Sequence, residues 1–322
     1  MTGPEPTRVD LERAILGEAP TLTAQQVAEQ SGAGLEVARR VWRALGFPES
    51  DDEVSFNGID AQVLRSLNDE VAAGRIDLDT ALKATRALGT TMARLAEWEI
   101  ATLLPAVDDA STPTRGRAQT GMAFIEEMSS QFEDLLIYAW RRHLAAAVAR
   151  IGGLDGSDDG TTTEVTVGFA DIVSFTALSN EMDEDRIGDL VEVFETRCHD
   201  VIAAHRGRAI KSLGDSVLFV NDDPVRAIKI AEGIIDVIGR DPRLPDVRLG
   251  LASGSVVLRQ GDVYGPPVNL AARLTAVARR NRVIIDKTTA SMLPASLYET
   301  RKLPARPLRG FGLVEPITVR RH

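Results

Sequence analysis

The sequence has very little cysteine and no long apolar run. Its one cysteine, Cys198, cannot form a disulfide within the chain, and no pair of thiols is present to bind zinc. We therefore expect a reducing, cytoplasmic compartment. Because no run of about 18 apolar residues occurs, we expect no membrane span. The first residues, MTGPEPTRVDLERA, lack the apolar segment of a secretory signal, so we expect none.

The sequence also lacks an excess of basic residues, since its formal net charge is −10. A protein that binds nucleic acid needs a basic face for phosphate contacts, so we expect no nucleic-acid partner. Residues 22–47 have the pattern of a DNA-binding helix-turn-helix, with Arg39, Arg40 and Arg43 in the second helix. However, residues 1–150 contain 15 Lys and Arg against 23 Asp and Glu, a net charge of −8. This balance favours a helical packing module over the alternative of a DNA-binding regulator.

The first 150 residues have apolar side chains three and four positions apart, the spacing of amphipathic helices. The predicted helices are 8–17, 23–31, 35–46, 59–73, 78–103 and 119–150. By composition, residues 105–118 form a loop. The longest helix, 119–150, has one broad apolar face, formed by Phe124, Met128, Phe132, Leu135, Leu136, Ala139 and Leu144. It leads into a flexible linker at 151–162 that is rich in Gly, Asp, Ser and Thr.

From residue 163 onward, strand patterns alternate with helix patterns. The predicted strands are 163–170, 208–213, 216–221, 247–253, 255–260, 282–286 and one near 313–320, and the predicted helices are 183–205, 224–239 and 267–279. The opening order is βαββαβ, which is typical of a ferredoxin-like sheet. We therefore predict an α+β protein with an all-helical domain at 1–150 and a ferredoxin-like domain with extra strands at 163–322.

Two acids stand where predicted strands end. Asp171 follows the first strand in FADIVSFT, residues 169–176. In IKSLGDSVLFV, residues 210–220, Gly214 and Asp215 separate two short apolar strands and predict a tight hairpin. Such a hairpin beside the first strand would bring the two carboxylates together, where they suit Mg²⁺ bound jointly with phosphate oxygens. Either acid alone is more typical of a helix cap or a turn.

A third stretch, GDVYGPPVNLAARL at 261–274, predicts a turn followed by a helix. Asn269 and Arg273 are four residues apart and therefore project from the same helical face. An amide and a guanidinium in this arrangement could bind a ribose and a phosphate. The alternative is an ordinary capping Asn followed by a surface Arg.

Taken in order, these three stretches resemble the signature of the class III nucleotidyl cyclase catalytic domain, over roughly residues 163–320. The resemblance implies that Asp171 and Asp215 bind metal, assisted by the backbone carbonyl of Ile172. It also implies that Lys211 and Asp262 select the purine. This assignment has a physical check, because lysine can only donate and ionised aspartate can only accept. The pair therefore fits the N1 acceptor and 6-amino donor of adenine, and not guanine.

The same resemblance implies that Asn269 orients the ribose and that Arg273 stabilises the transition state. The sequence departs from the common family pattern at Pro266 and Pro267, where an acid and a hydroxyl are more frequent. The implied activity is that of an adenylyl cyclase, which uses two Mg²⁺ or Mn²⁺ ions to form cyclic AMP and pyrophosphate from ATP. A catalytically silent nucleotide-binding sensor is the alternative, and the complete set of functional residues argues against it.

In this family the metal-binding acids come from one catalytic domain and the remaining residues from its partner. A chain that carries the whole set is therefore expected to form a homodimer with two sites. The first half resembles the helical regulatory domain of actinobacterial soluble cyclases, particularly around ARRVWRALGFP, and helix 119–150 would transmit its signal. His143, beside Arg141 and Arg142, is a candidate pH sensor, although a solvated histidine is the simpler interpretation. A small apolar ligand is another candidate input.

Overall fold

A computed structural model describes residues 7–48, 53–110, 117–152, 162–259 and 261–322. The chain divides into two compact units, Met1–Asp155 and Gly156–His322. The predicted linker at 151–162 falls at this division, and most of it lies outside the described residues. Within the described part of the chain, no helix is both long enough and apolar enough to cross a membrane.

The first unit is helical. Its helices are α1 (Arg8–Leu16), α2 (Ala24–Ser31), α3 (Leu35–Leu45), α4 (Gly58–Ala72), α5 (Leu78–Ala110) and α6 (Arg117–Gly152). Thr23 caps α2 through a reciprocal capping box, and Gly32 ends that helix in the left-handed conformation. The core lies among α2, α3, α4 and the start of α5, where the rings of Trp42 and Phe56 stack with their centroids 4.3 Å apart.

The prediction of a loop at 105–118 is wrong for its first part, because α5 continues to Ala110 with Pro105 inside it. Composition misleads here because a proline removes one helical hydrogen bond but does not oblige a helix to end. Contacts of α5 with α3 and α6 support the helix on both sides of the proline. Residues 111–116 lie outside the described part of the chain.

The helix predicted at 119–150 is confirmed as α6, but the described residues cover its predicted apolar face only in part. Phe124, Phe132, Leu136 and Ala139 are half-buried, whereas Leu135 and Leu144 are 58% and 47% exposed, and the nearby Trp140 is 60% exposed. Helical spacing shows that apolar side chains share a face, but it cannot show what covers that face.

The second unit is an α+β domain. Its strands are β1 (Thr162–Ile172), β2 (Arg208–Ser212), β3 (Ser216–Asn221), β4 (Val247–Arg259), β5 (Asp262–Tyr264), β6 (Val283–Ile285), β7 (Tyr298–Lys302), β8 (Arg306–Leu308), β9 (Gly312–Val314) and β10 (Ile317–Arg321). Its helices are α7 (Phe175–Ser179), α8 (Glu184–Ala204), α9 (Pro224–Arg240), α10 (Pro266–Val277) and α11 (Lys287–Met292).

The main sheet has the order β2-β3-β1-β4-β6-β10-β7, and β5 pairs with β4. The first four strands, with α8 and α9 as crossovers, form the predicted ferredoxin-like βαββαβ unit. Two strand predictions are wrong. The strands predicted at 247–253 and 255–260 are one strand, β4 (Val247–Arg259), because β1 pairs with it continuously through Gly254. The strand predicted near 313–320 is instead the two strands β9 and β10, which are separated at Pro316, a residue without a backbone N–H.

The sheet has a core on each face. One core includes Ala170 and Ile172 of β1 together with residues of α8 and α9, and Cys198 is fully buried there. The other core includes Phe169 and residues of α10. Because side chains alternate along a strand, Asp171 lies on the same face as Phe169, the face that α10 covers.

Candidate active site

The site begins at Asp171, one residue before the end of β1. Strand register pairs Asp171 with Ser216 of β3 on one side and with Arg248 of β4 on the other. Directly paired residues on antiparallel strands point to the same face, so the three side chains form one row across the sheet.

Both oxygens of the Asp171 carboxylate are engaged in this row. The hydroxyl of Ser216 donates to Oδ1 at 2.5 Å. Nε and Nη2 of Arg248 both lie 2.6 Å from Oδ2. The Asp171 side chain is only 13% exposed and that of Arg248 is 31% exposed, so this ion pair is partly shielded from water.

Asp215 lies in the tight turn between β2 and β3, as predicted. Gly214 has a φ of 66°, a conformation that glycine adopts without strain. The backbone amide of Ile172 donates to the carbonyl oxygen of Asp215 at 3.0 Å, which fixes the turn against the end of β1. Burial, and then the negative charge of Asp171, raise the pKa of Asp215 above its ordinary value. The two predicted metal-binding acids are therefore close enough to repel each other.

The donor set at this end of β1 fits a hard divalent cation. Two carboxylates, with the carbonyl of Ile172 between them in the chain, are oxygen ligands of the kind that Mg²⁺ and Mn²⁺ prefer. Among the described residues, no group of three or more His, Cys, Asp or Glu could hold a metal by itself. An ion bound here would therefore need further oxygen ligands, which water molecules or substrate phosphates can supply.

A second pair of site residues lies on β2 and β5, two strands that contact each other although β2 pairs with β3 and β5 pairs with β4 in the sheet. Nζ of Lys211 donates to Oδ2 of Asp262, and the Val263 amide donates to Oδ1 at 2.8 Å. Burial alone would raise the pKa of Asp262, but the hydrogen bonds from Lys211 and Val263 outweigh it and hold that pKa below its ordinary value. Asp262 is therefore ionised at neutral pH and can act only as an acceptor, as the adenine assignment requires.

Asn269 and Arg273 both lie on α10 and both are exposed. Within the described part of the chain, neither side chain has a hydrogen-bond or ion-pair partner, so both are available to a ligand. Pro266 and Pro267 occupy the first turn of α10, where a missing N–H costs nothing because those amides have no helical partner. The departure from the common family pattern is therefore compatible with the helix that carries Asn269 and Arg273.

Sequence reasoning missed Arg248 and Ser216. The signal for Arg248 was a single charged residue in VRLGLA, an otherwise apolar strand pattern. Its partner is 77 residues away in the chain, and only the strand register identifies it.

His143 lies exposed on α6 of the first unit, so its suggested role as a pH sensor stays a prediction.

A ferredoxin-like sheet with paired acids, an adjacent Lys–Asp pair, and a free amide and guanidinium on one helix is suited to binding a nucleotide. Comparisons with known proteins identify the family. Residues 158–318 match the adenylate and guanylate cyclase catalytic domain. An adenylate cyclase of Streptomyces coelicolor is 35% identical and aligns over 98% of this chain and 90% of its own length. One from Streptomyces griseus is 36% identical over 90% of this chain and 72% of its own.

The chain therefore belongs to the adenylate and guanylate cyclase family, and the similarity to these actinobacterial relatives extends through the helical half. A solved structure, the catalytic core of a rhodopsin-guanylyl cyclase with converted specificity in complex with ATPalphaS, is 24% identical with a TM-score of 0.47. It aligns with 50% of this chain and 99% of its own length.

Proposed function

We propose that the chain is an adenylyl cyclase that converts ATP to 3′,5′-cyclic AMP and pyrophosphate. The observation that carries the choice of ATP over GTP is the Lys211–Asp262 ion pair. With Lys211 facing N1 and Asp262 facing the 6-amino group, the pair matches adenine, whereas guanine in the same orientation would present a donor to the lysine and an acceptor to the carboxylate. The names of the Streptomyces relatives support the same substrate.

Asp171, Asp215 and the carbonyl of Ile172 would hold two Mg²⁺ or Mn²⁺ ions. Bound there, the ions would lower the pKa of the ribose 3′-hydroxyl and neutralise the triphosphate. Burial, and then the negative charge of Asp171, raise the pKa of Asp215, and a bound cation would relieve both effects, which supports this role.

Asn269 and Arg273 would act directly on the nucleotide. The amide of Asn269 would hold the ribose so that the 3′-oxygen stands in line with the α-phosphorus and the leaving pyrophosphate. The guanidinium of Arg273 would neutralise the negative charge that develops on the α-phosphate. Their exposure and lack of partners support both roles.

We further propose that the enzyme is a cytoplasmic homodimer whose helical half controls how the two catalytic domains meet. Family membership supports the dimer, and so do the exposed apolar side chains of α6, including Leu135 and Trp140.

A pH input at His143, or an apolar ligand in the helical half, would act through α6. If His143 is the pH sensor, its replacement by Ala should change the pH profile of activity. Superimposable profiles would eliminate that input.

The first test is cyclic AMP formation from ATP by the purified chain with Mg²⁺ or Mn²⁺. We expect product from the wild type, loss of about 100-fold or more in Asp215→Ala, and normal activity in Asp222→Ala. The matched control removes an exposed acid from the turn after β3.

If the full chain is silent, the same assay on residues 155–322 separates the remaining explanations. Activity released by truncation would mean that the helical half inhibits the enzyme. Continued silence, with nucleotide still bound, would favour the nucleotide-binding sensor and contradict the proposed activity.

A further inference from the structure

Arg248 makes the closest contacts with the acid that would bind metal. Its Nε donates to Oδ2 of Asp171 at 2.6 Å, and Nη2 lies 2.6 Å from the same oxygen. The guanidinium therefore covers Oδ2 and takes at least one of its two lone pairs. Ser216 donates to the other oxygen, Oδ1, at 2.5 Å.

This occupancy conflicts with the binding of two ions. A carboxylate that binds a cation through each of its two oxygens must have both oxygens accessible, and Arg248 covers Oδ2 of Asp171. The guanidinium also brings a positive charge to the place where divalent cations would bind.

The structure offers Arg248 a second partner. Its third nitrogen, Nη1, lies 3.4 Å from the carbonyl oxygen of Ala276 in the last turn of α10. The last four carbonyls of a helix lack helical partners, and this end of the helix attracts positive charge. A guanidinium released from Asp171 could therefore stay paired by moving toward the end of α10, the helix that carries Asn269 and Arg273.

We propose that Arg248 holds Oδ2 of Asp171 in the metal-free enzyme and must release it, toward the C-terminal end of α10, before Asp171 can serve two divalent ions. Arg248 and the metal thus compete for one oxygen. Arg248 is a positioning residue, and its place in the cycle is to keep the acid ordered until metal arrives. This inference rests on the proposed role of Asp171 and Asp215 as metal ligands.

The test measures Mn²⁺ binding to the full chain without nucleotide, from the electron paramagnetic resonance signal of free Mn²⁺. We expect Arg248→Gln to bind Mn²⁺ at least about ten-fold more tightly than the wild type, because the competing cation is gone. The control Arg301→Gln, which removes an exposed arginine from β7, should bind as the wild type does. Equal or weaker binding by Arg248→Gln would overturn the proposal.

A second measurement needs no variant at position 248. In a crystal structure of the wild type with Mn²⁺ and a non-reactive ATP analogue, we expect the guanidinium to lie off Oδ2 and against the carbonyls of the last turn of α10. A guanidinium still on Oδ2 with two ions bound would overturn the proposal, whether or not Arg248→Gln folds.

The two proposals fail in different ways. If the wild type binds no Mn²⁺, or if Asp215→Asn binds it equally well, the metal site itself is wrong and the inference about Arg248 is wrong with it. If the wild type binds Mn²⁺ and Asp215→Asn loses it, while Arg248→Gln binds no more tightly, only the role of Arg248 is wrong.

Discussion

At the scale of single residues, purine selection depends on the charges of Lys211 and Asp262. We predict that Lys211→Glu combined with Asp262→Asn will reverse the preference from ATP toward GTP, because an acceptor then faces N1–H of guanine and a donor faces O6. Each unpaired polar group costs about 1–3 kcal/mol, so kcat/KM for ATP should fall by about 100-fold or more. The measurement is kcat/KM for both nucleotides in the wild type and the double variant.

A matched control uses another Lys–acid pair. Nζ of Lys302 lies 2.8 Å from Oε2 of Glu315, and both side chains are more than half exposed. The double variant Lys302→Glu, Glu315→Gln makes a similar charge change and should leave the ratio of ATP to GTP activity unaltered. The assignment of the purine pair is refuted if the Lys211, Asp262 variant still prefers ATP by the wild-type ratio.

The sequence is informative about site residues that belong to local motifs and uninformative about those that depend on register. Asp171, Asp215, Lys211 and Asp262 stand in short recognisable stretches, and the structure brings Asp171 close to Asp215 and Lys211 close to Asp262. The partner of Asp171 is different, because Arg248 reaches it only through the pairing of β1 with β4. Sliding β4 by one residue would turn Arg248 to the other face, and no local pattern specifies that register.

At the scale of elements, the position of α10 depends on Gly250 in β4. A Cβ atom at this residue would lie 2.2 Å from the backbone nitrogen of Thr275 and 2.6 Å from the carbonyl oxygen of Ala271. Both are backbone atoms of α10, so the helix itself would have to move. We predict that Gly250→Ala costs about 1–3 kcal/mol of unfolding free energy.

The same substitution should reduce activity by more than unfolding accounts for, since α10 carries Asn269 and Arg273. The measurements are the melting temperature and kcat at a temperature well below the transition. The control is Gly239→Ala in α9, where no atom lies within 4 Å of the added Cβ and alanine favours the helix. Wild-type kcat in a folded Gly250→Ala would contradict this account of how α10 is held.

The connection from α9 into β4 depends on Asp241, the residue that ends α9. Hydrogen bonds from the Arg243 side chain, and then from its backbone amide, lower the pKa of Asp241 from 3.8 to about 2. Because the folded pKa lies below the ordinary value, the stabilisation is complete above about pH 4 and is lost as the pH falls through about 2. Asp241→Asn should therefore lower the melting temperature at pH 7 and make less difference as the pH approaches 2.

Melting curves at several pH values check this prediction, with Asp222→Asn as the control for the loss of one surface charge. A difference between wild type and Asp241→Asn that stays constant from pH 7 to pH 2.5 would contradict it.

Elements were predictable where the pattern was long and periodic, and less so where a single residue interrupted it. The helices predicted at 23–31 and 35–46 agree with α2 and α3, and Thr23 caps the start of α2 while Gly46 ends α3. Sequence patterns predict the end of a helix at Pro105, because proline removes a helical hydrogen bond. They predict the end of a strand at Gly254, because glycine has no side chain to pack. In the structure, contacts from elsewhere in the chain outweigh that local cost: α3 and α6 support α5, and the unbroken register of β1 supports β4.

At the scale of the whole molecule, the predicted dimer places the metal acids of one chain opposite Asn269 and Arg273 of a second copy. A site shared between two copies of the chain can be tested by mixing two inactive variants. Asp215→Ala removes a metal-binding acid from each site, and Arg273→Ala removes the guanidinium that the other copy contributes. In a mixed dimer both lesions fall in the same site, and the second site is intact.

We therefore predict that equal amounts of the two inactive variants, unfolded and refolded together, recover about a quarter of the wild-type activity. Half of the dimers formed by random pairing are mixed, and each has one working site of two. The control mixture of Asp215→Ala with Asp171→Ala should recover nothing, because every site then lacks a metal acid. If the first mixture also stays inactive while its dimers form normally, each site must be built within one chain. In that case the free side chains on α10 would have to reach the nucleotide held by their own β1.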